Sequence, residues 1–253
     1  MPSKTKTRSK PALLVPTSRP SNSATQTVPK IPENWPNDVP YLTDLTYSPA
    51  VSAEQRTALS RTLSDNISWS QIPASQILFP SPLLSVKTIE APESHPAKGQ
   101  RGLFAAQHLA PDTFLCLYLG HVHTNALSDT DPNSDYDLNL DRDIGLSVDA
   151  AHSGNESRCA NDYRGIAERP NAEFRDCYIQ VPCAKRKSGM KWERRVGIFV
   201  LSAGKAAKRK NGVREGEEVL VSYGKGFWEA RKVVAEFRKD ETMLKMAELA
   251  LGS

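Results

Sequence analysis

Residues 135–149 read DYDLNLDRDIGLSVD, and the alternation in them decides the fold class. Tyr136, Leu138 and Leu140 fall on one side of a period-two pattern; Asp135, Asp137, Asn139 and Asp141 fall on the other. Successive side chains of a strand point to opposite faces, so this alternation describes a half-buried strand. The polar pair Arg142-Asp143 predicts a turn into a partner strand, which makes a hairpin.

Working outward, the chain is β-rich from about Leu83. TFLCLYLGHV (113–122) reads as one buried strand, and AEFRDCYIQV (172–181) and RRVGIFVLSAGK (194–205) as two more, joined by the basic loop AKRKSGMKWE (184–193). EGEEVLVSYG (215–224) is a last short strand. In SAEQRTALSRTL (52–63), Ser52 is placed as an N-cap with Glu54 in the first turn and Leu59 and Leu63 one helical turn apart, which predicts a short helix. ASQILFPSPLLSVKTIEAP (74–92) is extended chain broken by prolines. After the last strand, Val233, Val234, Phe237, Met243, Leu244 and Ala247 recur at helical spacing towards Gly252, predicting a terminal helix. Residues 1 to about 40 are rich in Pro, Ser, Thr and Lys and read as a disordered tail, basic at Lys4, Lys6, Arg8 and Lys10. The expected organisation is a tail over 1–40, a flanking segment with a short helix over 41–82, a mostly β domain over 83–228, and a helix over 229–253.

Composition narrows the function classes. The 253 residues are 39% hydrophobic, enough for a real core, while a mean hydropathy of −0.48 reflects polar extensions. A net charge of +4 is too mild to mark a nucleic-acid binder by itself. Cys116, Cys159, Cys177 and Cys183 form no C-x-x-C pair and have no histidine at zinc-finger spacing, so neither a metal site nor a disulfide framework is expected. Buried reduced thiols suit an intracellular protein. No apolar run is long enough to span a membrane. The charge is unevenly spread. Lys185, Arg186, Lys187, Lys191, Arg194, Arg195, Lys205, Lys208, Arg209, Lys210 and Arg214 meet only Glu193 between 184 and 214, whereas seven aspartates meet only Arg142 between 129 and 149. Either these are solvated faces, or they are an acidic face for a cationic peptide and a basic one for phosphates.

Three separated stretches, KGQRGLFAAQHLAPDTFLCLYLG (98–120), SRCAND (157–162) and GEEVLVSYGKGFW (216–228), resemble in this order the signature segments of SET-domain protein lysine methyltransferases. The resemblance covers roughly Ser85 to Trp228, and the continuation YRGIAERPNAEF (163–174) is most similar to SET proteins of the plant and fungal type. It implies a β-clip-like SET fold with a pseudoknot, S-adenosylmethionine as cofactor, a basic peptide such as a histone tail as substrate, and a nuclear or nucleo-cytoplasmic protein. A contact of the 184–214 region with nucleosomal DNA would accompany it.

The same resemblance implies the site. Gly99, Gln100, Arg101 and Gly102 stand at the turn that approaches the cofactor, with Gln100 where the family has its first glycine. Asn161 stands at the asparagine that binds the cofactor's amino-acid end and Arg158 at the arginine opening that motif. Asp162 replaces the usual histidine, where a carboxylate can accept from the cofactor's ammonium group. Tyr223 is placed as the catalytic tyrosine, Tyr118 in the lysine channel and Tyr136 beside the cofactor. Phe227 and Trp228 either cover the adenine or anchor the terminal helix. No cysteine cluster follows the domain, and Val221 leaves the degree of methylation open. Gln100, Asp162, Val221 and the missing cysteines also fit an inactive SET-like scaffold that binds chromatin.

Overall fold

The computed structural model describes residues 30–60, 68–204, 211–232 and 236. The protein is mostly β, with twelve strands and short helical segments among these residues. Two four-stranded sheets carry the architecture. The first has the order β1 (Thr46–Tyr47), β6 (His121–Thr124), β8 (Leu146–Asp149), β7 (Asp137–Asp141). The second has β2 (Ser70–Ile72), β10 (Ala172–Pro182), β11 (Met190–Val200) and β5 (Phe114–Leu117). Two small sheets pair β3 (Leu84–Thr88) with β4 (Arg101–Ala105), and β9 (Asn161–Asp162) with β12 (Leu220–Val221).

The hairpin read from the alternation is β7–β8, antiparallel, with Leu138 opposite Val148 and a register shift between Asn139 and Asp141. That irregularity changes the face of Asp141: it is buried and paired with Arg194, although the alternation places it with the solvent-facing aspartates. The helix is α1 (Ala53–Ala58). Ser52 caps it by accepting from the Gln55 N–H, and the Gln55 side chain returns to the Ser52 N–H, a reciprocal capping box. Leu59 is buried beyond it; Leu63 lies outside the described residues.

TFLCLYLGHV is two strands, β5 and β6, separated at Tyr118–Gly120. Gly120 permits the separation, because a Cβ there would lie 2.3 Å from the Asp149 carbonyl oxygen. All four β5 residues are buried because β5 lies between two apolar clusters. Leu115 and Cys116 join Leu103, Ile198 and Val219 on one side, while Phe114 and Leu117 join Val122, Leu146 and Phe199 on the other. A strand covered on both faces reads as a continuous apolar run, so sequence gives no mark of where it ends.

The basic loop is shorter than the sequence suggests. Strand β11 begins at Met190, so Lys191, Arg194 and Arg195 are strand residues. Arg195 is only 2% exposed and bonded to Glu193 at 2.6 Å; Lys191 also reaches Glu193, and Arg194 holds Asp141 and Asp176. Buried arginines require such partners. Carboxylates thus take up Lys191, Arg194 and Arg195, which leaves Lys185, Arg186 and Lys187 as the exposed cations of the loop, and the expected DNA contact gains no support. Lys205, Lys208, Arg209 and Lys210 lie outside the described residues.

Packing also begins before residue 40. Trp35 is 7% exposed, meets Tyr41 edge-on at 5.1 Å and donates its indole N–H to the Val39 carbonyl. Asn34 bonds β3 through the Val86 carbonyl oxygen and accepts from Arg101 on β4. The flanking segment supplies an edge strand to each large sheet, β1 beside β6 and β2 beside β10, both parallel. At the other end residues 225–232 are helical, and the apolar positions predicted from Val233 onwards lie outside the described residues, as does the tail over 1–29.

Candidate functional site

The parallel pair β9–β12 sets Leu220 beside Asn161 and Val221 beside Asp162, joining segments far apart in sequence. Asn171 locks this pair: its side chain accepts from the Leu220 N–H and donates to the Glu218 carbonyl. The chain leaving β12 passes Tyr223 and enters the helix at 225, so that helix begins over Asn161 and Asp162.

A cavity of about 570 Å³ opens there, within the size range of small-molecule sites. Gly99, Gln100, Arg101, Tyr136, Arg158, Asn161, Asp162, Tyr223, Phe227 and Trp228 line it. Gly102 and Tyr118 do not. Gly102 lies in β4, where an added Cβ would sit 2.9 Å from a Glu218 carboxylate oxygen, so its lack of a side chain makes room for Glu218. Tyr118 is buried beside the cavity wall and its hydroxyl donates to the Tyr136 carbonyl oxygen at 2.6 Å.

Tyr223 stands edge-on to Phe227 at 5.0 Å and nearly parallel to Trp228 at 6.4 Å. Its hydroxyl donates to the Ala160 carbonyl at 2.9 Å. Burial, then the charges of Tyr136, Asp162 and Asp135, push its pKa well above the ordinary tyrosine value. The Tyr118 phenol is raised in the same direction, again chiefly by burial. Both rings are therefore neutral phenols whose protons are held by backbone carbonyls, leaving oxygen lone pairs to face a neighbour.

Asp162 has a different role from the one its position suggests. Its Oδ2 accepts from the Tyr223 N–H at 2.7 Å and the Trp228 indole N–H at 3.2 Å, and Oδ1 from the Arg164 N–H at 2.9 Å. The Arg164 guanidinium spans both oxygens. A carboxylate has about four lone-pair sites, and all are filled. The group is thus a clamp between β9 and the start of the helix, with no capacity left for a ligand ammonium. Trp228 is anchored by the same clamp while its ring lines the cavity.

Four arginines line the cavity. Arg164 is matched by Asp162, and Arg231 by Asp135 at 2.6 Å together with the Asn133 and Ser134 carbonyls. Arg101 and Arg158 have no carboxylate partner among the described residues. Arg101 donates to the Asn34 carbonyl; Arg158 donates to the Ala150 and Ala151 carbonyls and lies 4.4 Å over the Tyr136 ring. Two unmatched guanidinium groups favour a ligand carboxylate.

No protein-family model matches the chain, and no curated protein matches it. Among solved structures it is similar to a chain of the Chaetomium thermophilum polycomb repressive complex 2, with 22% identity over 56% of this chain and a TM-score of 0.38. A polycomb repressive complex 2 in an autoinhibited conformation bound to S-adenosylmethionine is similar over 62% of this chain, with 21% identity and a TM-score of 0.40. These matches cover 15% and 17% of those chains, so this chain spans less than a fifth of their length.

Sequence reasoning missed Arg164 and Arg231, which complete the cavity wall, and the pair behind it, buried His95 and partly buried Glu218. Arg164 carried a signal in its place two residues after Asp162. Arg231 reaches back to Asp135 across 96 positions of chain, and nothing local marks that contact. Among the described residues no helix is long and apolar enough to cross a membrane, and no His, Cys, Asp or Glu cluster has the makings of a metal site.

Proposed function

We propose that this cavity binds S-adenosylmethionine and that the protein is a SET-type lysine N-methyltransferase acting on a basic peptide such as a histone tail, in a nuclear or nucleo-cytoplasmic setting. The observation that carries the reading is the gathering of Asn161, Arg158, Gln100 and Tyr223 from distant segments onto one cavity. The polar groups there fit a zwitterion. The Asn161 Nδ2 donates to Glu218 at 2.9 Å and to the Arg101 carbonyl at 3.4 Å, so its Oδ1 is the atom left to accept from an ammonium group. Arg101 and Arg158 suit the carboxylate of the same amino-acid end. The catalytic unit would be drawn from residues 83–228, with Pro36 and Arg231 from its flanks completing the cavity wall.

Bound there, S-adenosylmethionine would supply a methyl group on a positively charged sulfur, transferred as an N–C bond to an amine forms and the S–C bond breaks. The residues present contribute position and electrostatics. Tyr223, on the cavity wall, would offer a hydroxyl oxygen to a cationic centre without competing as a nucleophile at neutral pH, while Tyr118 behind the wall would act through the Tyr136 carbonyl that its hydroxyl holds. Asp135, on the cavity wall in its salt bridge to Arg231, and Asp137, bonded to His123, put negative charge on the hairpin that would suit the approach of a lysine- or arginine-rich segment.

Calorimetry tests the binding half directly. S-adenosylmethionine should bind at one site, and Asn161→Ala should weaken it by about 1–3 kcal/mol, the cost of a lost partner in a desolvated site. No heat of binding at millimolar ligand sinks the reading.

A further inference from the structure

His95 belongs to the segment between β3 and β4, outside every motif, yet it is only 5% exposed. Its Nδ1 accepts the Ala97 backbone N–H at 3.1 Å. An acceptor nitrogen carries no proton, so the ring proton sits on Nε2, which donates to Glu218 Oε2 at 3.0 Å. The other oxygen, Oε1, accepts the Asn161 Nδ2–H, and Gly102 leaves the space that this carboxylate occupies.

The chain of bonds has a fixed direction. A carboxylate only accepts, and so does the Arg101 carbonyl on the second Asn161 proton. The amide of Asn161 therefore has one allowed orientation, nitrogen inward and Oδ1 towards the cavity. Without Glu218 only the long 3.4 Å bond to the Arg101 carbonyl oxygen would oppose the amide's turning over to present a donor instead. His95 in turn fixes where Glu218 points, because its Nε2–H holds the remaining oxygen.

We propose that His95 and Glu218 are positioning residues that hold Asn161 as a hydrogen-bond acceptor in the cavity and so select a ligand with a protonated amine. The inference rests on the cofactor reading given above and deepens it, assigning the choice between a complete S-adenosylmethionine and its fragments to a pair behind the wall. Neither residue lines the cavity.

The experiment measures binding of S-adenosylmethionine and of 5′-deoxy-5′-methylthioadenosine, which keeps the adenosine and thioether but lacks the amino-acid end. Glu218→Gln offers an N–H where Asn161 needs an acceptor. It should weaken S-adenosylmethionine about tenfold or more and leave methylthioadenosine within about twofold, since one misdirected buried hydrogen bond is worth that much. His95→Leu should show the same selective loss, and His95→Gln, which keeps an N–H at similar reach, should recover most of it. Unchanged affinity for S-adenosylmethionine in both Glu218→Gln and His95→Leu overturns the inference. Equal losses for the two ligands, with a lowered melting temperature, also overturn it by making the pair merely structural. Wild-type protein that binds neither ligand overturns the cofactor reading itself, a result distinguishable from both.

Discussion

Tyr223→Phe is expected to abolish most turnover while leaving S-adenosylmethionine affinity within a few-fold. The ring stays packed against Phe227 and beside Trp228, so the wall of the cavity persists. What disappears is one oriented oxygen, tethered through its proton to the Ala160 carbonyl. Removing one preorganised polar group from a charged transition state costs about 10²–10³ in kcat, and single-turnover kinetics beside calorimetry separate that loss from binding. The pH dependence discriminates further. Burial holds the Tyr223 phenol above its ordinary value, so it stays protonated through the neutral range and is not a base. The proton that must leave belongs to the substrate lysine, whose unperturbed pKa is about 10.4. The rate should therefore rise with pH in wild type, and the residual rate of Tyr223→Phe should rise in parallel. A flat profile in the variant would instead make Tyr223 the titrating group.

Asp162→Ala is the second large effect, and it should appear in stability before chemistry. The substitution strands the N–H groups of Tyr223 and Arg164 and the Trp228 indole in a partly buried setting. The loss should be about 2–4 kcal/mol, with little added by the Arg164 ion pair because that side chain is 37% exposed. For a domain of this size the melting temperature should fall by roughly 10 °C. Burial alone would raise the Asp162 pKa, but the hydrogen bonds from Tyr223, Arg164 and Trp228 outweigh it and hold it below the ordinary carboxylate value. A depressed folded pKa stabilises the protein above the unfolded value of about 3.9, and that contribution is lost as pH falls through the folded pKa. Wild type should accordingly lose more stability than Asp162→Ala between neutral pH and pH 3. If Asp162 bound the cofactor instead, the variant would keep its melting temperature and lose affinity.

These two residues show what the sequence could and could not convey. Tyr223 and Asn161 were found through the resemblance of their segments to a known family, for the contacts that hold them, Tyr223 to Ala160 and Asn161 to Glu218, span 63 and 57 positions and leave no local mark. Asp162 looked like a ligand because its position did; its saturation depends on Trp228 and Tyr223, more than 60 positions away. The hairpin at 135–149 was legible because one face is dry and the other wet, the condition under which alternation carries information. Where both faces are buried, as at β5, that information vanishes and two strands read as one. Charge misled for a related reason. Arg194 and Arg195 count as basic in any window, yet apart from the neighbouring Glu193 their partners Asp141, Asp176 and Asp44 lie outside the run, and pairing turns them inward. The His95–Glu218 pair spans 123 positions and leaves no local trace.

The central claim is that this chain moves a methyl group from a sulfonium to a lysine amine, and radiolabelled methyl transfer tests it most directly. S-adenosylmethionine carrying a labelled methyl group is offered with core histones, isolated histone tails and a whole-cell lysate, with Tyr223→Phe run in parallel. The account predicts label on lysine in at least one of these with wild type and nearly none with the variant. Cofactor that binds at the cavity while no acceptor takes up label above the Tyr223→Phe background would contradict it, and would make the protein a binding module.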